Sequence, residues 1–298
     1  MTEITLLDGS IGQELAKRGD ATSSRLWSTQ VMIDTPELVG AVHDEYFAAG
    51  ATIATTNSYG LHENRLEREG MLDMLDALVD VSLDQAEQAR DRAGGGRIAG
   101  SLGPLLASYR PDLDPDPAMA AEKFTARAAR LAPRVDLLLI ETVSSTREAE
   151  GALRGCIGQG APVWIAFTVS DEDGSKLRSG EDLDAILPLL EQYRPAAVLI
   201  NCSRPEVIGA ALPVLARSNL PYGAYANGFE RITEAFLEDA PSVDVLQERR
   251  DLTPQAYADH AMSWVGQGAT IIGGCCEVGP AHIVEIARRL REAGHKIV

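Results

Sequence analysis

The sequence predicts an α/β fold, a single (β/α)8 barrel of the TIM type over residues 1–298, and three observations carry that prediction. Eight short, continuous apolar runs recur along the chain, each bounded by turn residues. Longer amphipathic stretches separate them, the alternation expected when helices cover a parallel sheet. The opening segment LLDGSIGQE has a G-x-x-G spacing that fits neither a dinucleotide-binding loop nor a P-loop, which argues against an open doubly wound sheet.

The eight runs, read as strands, are residues 4–8, 51–56, 97–101, 136–141, 162–168, 196–201, 221–226 and 269–274. Helical patterns cover 36–50, 70–92 and 254–268. Thr35 and Thr253 each precede a proline, a cap followed by proline in the first turn, and Gly50 and Gly268 can supply left-handed ends. A proline-rich stretch, 102–118, reads as a long loop after the third strand, and a second irregular stretch runs from Ala226 to about Asp251. Loops at strand C-termini cover the barrel mouth, where active sites of such folds lie.

Composition narrows the function. With 44 acidic and 27 basic residues the formal charge is −17, which repels nucleic acid phosphates. The first ten residues lack a basic start and a long apolar run, and no stretch reaches 18 apolar residues. The expectation is a cytoplasmic protein with neither membrane nor nucleic acid as partner. Four cysteines in such a setting do not suggest a disulfide framework.

Cys202 directly follows the sixth strand, and Cys275 and Cys276 directly follow the eighth. Barrel closure would bring both strand ends to one rim. Three thiols with an open fourth position suit a catalytic zinc, which can hold an incoming thiol as thiolate near neutral pH. The glycines 273 and 274 suit tight backbone geometry there. Spacing alone leaves a second reading, ordinary buried cysteines. Cys156, within a helical pattern, reads as a core thiol. His43 reads as a surface or packing residue, Trp164 as core, Tyr59 as a candidate for a pocket wall, and His62 as a residue just beyond the second strand, close in sequence to the inferred rim.

Six blocks, LLDGSIGQEL, TTNSYG, GSLGP, ETVSSTREAE, INCS and GGCCEVGPAHI, together resemble the homocysteine S-methyltransferase family over essentially the whole chain. That family includes S-methylmethionine-dependent and betaine-dependent enzymes and one module of cobalamin-dependent methionine synthase. The resemblance implies a (β/α)8 barrel with Zn2+ held by Cys202, Cys275 and Cys276 at the C-terminal rim, and homocysteine and a small methyl donor as partners. It puts Asp8 and Glu141 near the substrate's ammonium group. Backbone amides near Gly9 and Ser10 are candidates for its carboxylate. Asn57 would orient substrate or hold its loop, and Ser101 ends the third strand beside them.

Thr142 stands where the betaine branch carries tyrosine, so the chain looks more like the S-methylmethionine branch, transferring methyl from a sulfonium donor to homocysteine thiolate and forming methionine. The alternatives are a methylase of selenohomocysteine or another small thiol, betaine- or corrinoid-dependent methylation, and a non-catalytic zinc and homocysteine sensor. Glu277 replaces the family's usual arginine, Ser203 a cysteine and Gly60 a common glutamine. Without the betaine branch's C-terminal extension, the expected state is a monomer or small homo-oligomer.

Overall fold

The computed structural model describes residues 2–19, 26–237 and 246–298. Nine strands form one curled, all-parallel sheet: β1 Glu3–Leu6, β2 Ile53–Thr55, β3 Arg97–Leu102, β4 Leu137–Val143, β5 Val163–Phe167, β6 Ala197–Asn201, β7 Tyr222–Ala226, β8 Ile271–Gly274 and β9 Lys296–Ile297. Their spatial order is β2-β3-β4-β5-β6-β7-β8-β1-β9. The curl brings β1 round to β2: Leu7 bridges Ile53 in parallel, and the Thr52 amide donates to Leu6 O at 2.7 Å. The architecture is TIM-like, with helices outside the sheet.

Side chains alternate between two apolar clusters, as the period of two along a strand requires. Leu137, Leu139, Trp164, Ala166, Leu199 and Ile271 pack on one face. Leu138, Ile140, Ile165, Val198 and Ile200 pack on the other, with the helices. Strands buried on both faces are why these runs read as continuously apolar. Alanines 99, 166 and 197 leave room inside for Trp164, over which the Arg97 guanidinium lies at 5.9 Å. Trp164 is core, as expected.

All eight expected strands are present, with ends displaced by at most two residues; β4 runs past Glu141 to Val143. Strand β9, too short to stand out, extends the sheet beside β1 through the pairs Glu3–Lys296 and Ile4–Ile297. The helix Pro36–Ala49 ends at Gly50 with φ 106°, but Thr35 makes no side-chain cap, its backbone lying at φ −147°, ψ 66°. Thr253 does cap the helix Pro254–Gly266, accepting from the Ala256 amide at 3.3 Å. The pattern at 70–92 divides: Gly70 takes φ 67°, a short turn covers Leu72–Met74, and the helix proper is Leu75–Arg92. Among the described residues no helix is long and apolar enough to cross a membrane.

Below the rim, Tyr257 ties β7 to β8. Its ring is fully buried, and its hydroxyl accepts from the Ala226 amide at 2.9 Å and lies 2.8 Å from Gly273 O. Tyr257→Phe would leave that amide and carbonyl unpaired in a dry core, costing about 1–3 kcal/mol. Urea denaturation should show a lower midpoint with an unchanged slope.

Candidate active site and metal centre

Three non-glycine residues at the strand ends adopt left-handed backbone conformations: Thr142 (φ 63°), Cys202 (φ 47°) and Glu277 (φ 64°). Such geometry is costly and persists only where neighbours fix it. Asn201 and Thr142 fix each other. The Thr142 amide donates to Asn201 Oδ1 at 3.0 Å, and Asn201 Nδ2 donates to Thr142 Oγ1 at 3.1 Å. The Cys202 amide donates to Tyr225 O at 3.2 Å, and Thr168 Oγ1 donates to Cys202 O at 3.3 Å.

At β8, the Cys275 amide donates to Ala226 O at 2.9 Å and the Gly228 amide to Cys276 O at 2.7 Å. Glu277, nearly enclosed, accepts from Gln13 Nε2 and Lys17 Nζ, while Trp27 Nε1 donates to Gln13 Oε1 at 3.1 Å. Gly9 and Gly274 are required by close approach. A Cβ on Gly9 would stand 2.1 Å from Val278 O, and one on Gly274 2.2 Å from Val278 Cγ1.

The three thiols meet. Cys202 Sγ lies 2.7 Å from Cys275 Sγ and 3.7 Å from Cys276 Sγ, all three are free, and all lie within 4.8 Å of one another, a group that could hold a metal ion. The wider spacing matches the edge of a sulfur tetrahedron, ~3.8 Å for ligands about 2.3 Å from zinc. Hydrogen bonds from Cys275 and Cys276 push the Cys202 thiol well below its ordinary pKa, and the same contacts push the other two up. Cys156 lies apart in the core, where burial pushes it up to about 12 and leaves it an unreactive thiol.

The thiols floor a cavity of about 530 Å³ also lined by Asp8, Gly9, Ser10, Asn57, Ser101 and Glu141. All six expected substrate-side residues therefore share one space with the cysteines, but not all present free groups to it. Glu141 accepts from Ser101 Oγ and, at 3.0 Å, from Tyr225 Oη. Asp8 accepts from the Thr55 amide at 2.6 Å and Thr55 Oγ1 at 2.7 Å. Burial outweighs these donors and raises each carboxyl to about 7.

The Ser10 amide, expected to be available to a carboxylate, instead donates to Val278 O at 3.0 Å, and its hydroxyl caps the Gln13 amide at 3.2 Å. Asn57 holds its surroundings: Oδ1 accepts from Ser28 Oγ at 2.9 Å and Nδ2 donates to Ser28 O at 3.3 Å. His43 is fully buried among packing residues. Tyr59 and His62 both line the cavity wall, Tyr59 bonded to Ser108 at 2.6 Å.

Sequence reading did not single out Tyr225, Thr55 or the locking role of Asn201. Tyr225 had a signal: it pairs in register with Asn201, one residue before Cys202, so strand alternation aims it inward. The 102–118 loop covers the cavity with Leu106, Tyr109 and Leu113. Phe229, Phe236 and Leu246 come from the second irregular stretch, of which 238–245 lies outside the described residues.

A TIM-like sheet with a deep cavity over three strand-end thiols defines an α/β enzyme with a candidate thiolate metal centre. The family model described as Homocysteine S-methyltransferase matches residues 5–290. The chain belongs to the homocysteine S-methyltransferase family. It is 31% identical to Homocysteine S-methyltransferase of Escherichia coli K12, over 96% of this chain and 95% of that one. It is 28% identical to Homocysteine S-methyltransferase YbgG of Bacillus subtilis, over 95% and 93%. The metallated form of the Homocysteine Methyltransferase MmuM from E. coli superposes with a TM-score of 0.80 at 30% identity, each chain 96% covered.

The raised carboxyls predict a titration. With carbon-13-labelled side chains, ligand-free protein should show the Asp8 and Glu141 carboxyl resonances with midpoints near pH 7, protonated below and charged above, beside those of Asp114 at about 6 and Glu148 at about 8, which burial also raises. Asp8→Asn and Glu141→Gln should each remove one.

Proposed function

We propose that the chain transfers a methyl group from a sulfonium donor such as S-methylmethionine to homocysteine, forming methionine, with Zn2+ at Cys202, Cys275 and Cys276. In this reading residues 1–298 form one homocysteine-binding unit. The observation that carries it is the convergence of three free thiols on a cavity that also holds two buried carboxyls. The donor set fits zinc: three sulfurs, none in a disulfide, with one side facing the cavity. When bound, zinc supplies a Lewis acid that favours the thiolate of an incoming thiol.

The protein's own groups hold the acceptor. Glu141, oriented by Ser101 and Tyr225, and Asp8, oriented by Thr55, receive the ammonium group, which favours their charged forms. Gly9 and the first turn of the helix Ile11–Arg18 lie beside the carboxylate, where a helix start favours negative charge. In the transfer a bond forms between homocysteine sulfur and the methyl carbon while the donor's carbon–sulfur bond breaks. The broken bond's electron pair stays on the donor sulfur, which leaves as a neutral thioether. The thiol proton has already gone to solvent, so no general base acts at this step. The cavity wall of Tyr59, Tyr109, Phe229 and Leu106 limits water around two opposite charges that neutralise each other as the bond forms.

The test is anaerobic transfer by zinc-loaded protein, with methionine detected by mass and S-methylmethionine, S-adenosylmethionine and betaine compared as donors. Methionine should form with the sulfonium donors, and Cys275→Ala should lose both bound zinc and product. Glu141→Gln should raise the homocysteine KM about 10- to 100-fold, the loss of a charged hydrogen bond of about 1.5–3 kcal/mol. Full turnover by metal-free protein, or an unchanged KM, would refute these assignments.

A further inference from the structure

The cavity has two chemically different ends. At the thiol floor the charged side chains are the acids Asp8 and Glu141. Its outer wall, built by the segment after β2, carries His62, Arg65, Arg68 and Glu69, and Arg110 comes from the facing loop. These cations are not equivalent. Arg110 forks onto Asp112 at 2.6–2.7 Å, and Arg68 is also engaged. The Arg65 guanidinium, among the described residues, has neither hydrogen bond nor ion pair, although it is largely enclosed. Burial lowers its pKa below the ordinary arginine value, and only more distant Tyr59 and Glu69 offset this.

Its position follows from a missing side chain. Arg65 lies across Gly60, where a Cβ would come within 2.6 Å of Nη1. Gly60 thus leaves the space that the guanidinium fills at the cavity edge. A partly desolvated guanidinium without a partner is a costly arrangement that an anion relieves, and its planar fork matches a carboxylate. The volume, about 530 Å³, is of the size that holds drug-like ligands, so a second amino-acid-sized molecule fits beyond homocysteine.

We propose that Arg65 binds the carboxylate of the methyl donor, so that the donor is a small sulfonium carrying an anionic head, held at the outer wall while its methyl group points to the floor. This rests on the methyl-transfer reading above. Homocysteine's charged groups are already matched at the inner end by Asp8, Glu141 and the Gly9 turn.

Steady-state kinetics of zinc-loaded protein test it, with S-methylmethionine and with (3-aminopropyl)dimethylsulfonium, which keeps the sulfonium but lacks the carboxylate. Arg65→Met should raise the S-methylmethionine KM at least tenfold. It should change the homocysteine KM less than twofold and leave kcat/KM for the carboxylate-free donor unchanged. Arg65→Lys should recover part of the loss, and Gly60→Ala, which crowds the guanidinium, should reproduce part of it. Equal losses for both donors, a rise confined to homocysteine, or no change would overturn the assignment. Should the wild type transfer no methyl from either donor, the methyl-transfer reading fails, and calorimetry with dimethylsulfoniopropionate reads the carboxylate site alone. Binding to wild type but not to Arg65→Met would support the site; equal binding, or none, would overturn it.

Discussion

The convergence of strand C-termini on one rim is the constraint on which the rest of this structure depends. Cys202 and Cys275 are 73 residues apart in sequence and in contact in space, because β6 and β8 are separated only by β7. A parallel sheet sends every strand's last residue to the same edge. That alone does not aim the side chains. Successive residues on a strand point to opposite faces, so a residue just past the end needs a backbone change to point at the cavity. The left-handed residues Thr142 and Cys202 supply that change, and Glu277 takes the same conformation just past the cysteine pair, its own side chain directed to Gln13 and Lys17. Each conformation costs roughly 1–3 kcal/mol. The Asn201–Thr142 pair and the Gln13–Lys17–Glu277 group offset the cost locally.

The second constraint is electrostatic. Asp8 and Glu141 sit in the same enclosed space as a cluster of thiols, and all of these groups acquire charge by losing a proton. Burying them without a cation is unfavourable to their charged forms, and the shifts record it: desolvation moves both carboxyls up toward neutrality, and at Glu141 the nearby Cys202 and Asp8 add to it. Their hydrogen-bond donors are neutral hydroxyls and an amide, which orient the oxygens without compensating the charge. A pocket of this kind is matched by a ligand that brings positive charge. An ammonium group at the carboxyls and a divalent metal at the thiols both do so.

Much of this was legible in the sequence, because apolar runs buried on both faces leave an unambiguous trace and the cysteines fall directly behind two of them. The parts that were not legible have specific causes. Strand β9 is two residues long and lacks any periodic signal. Thr142 was readable as a marker of donor type, yet its hydroxyl and amide are spent on Asn201, a pairing that links β4 to β6 across β5. Ser10 and Asn57 fell in the right loops, but which of their groups remain free depends on Val278 and Ser28, partners that no local pattern indicates. Sequence located the rim residues; hydrogen-bond competition decided what each one offers.

Glu277, where the family resemblance implies an arginine, shows how an acid beside the sulfur cluster is accommodated. An acid next to Cys276 adds negative charge beside the thiol cluster, and after the contact with Cys202 and burial it contributes to raising that thiol. Its carboxylate, however, points away into Lys17 and Gln13 on the helix Ile11–Arg18. The ammonium of Lys17 neutralises it at the protein surface, and Trp27 fixes Gln13 in turn. The substitution thus converts a potential electrostatic burden into a tether between the first helix and the loop that carries two of the three sulfurs. An acid beside the sulfurs is tolerable when its cationic partner is on an adjacent rigid element, and Lys17 supplies that partner one helical turn past Gln13.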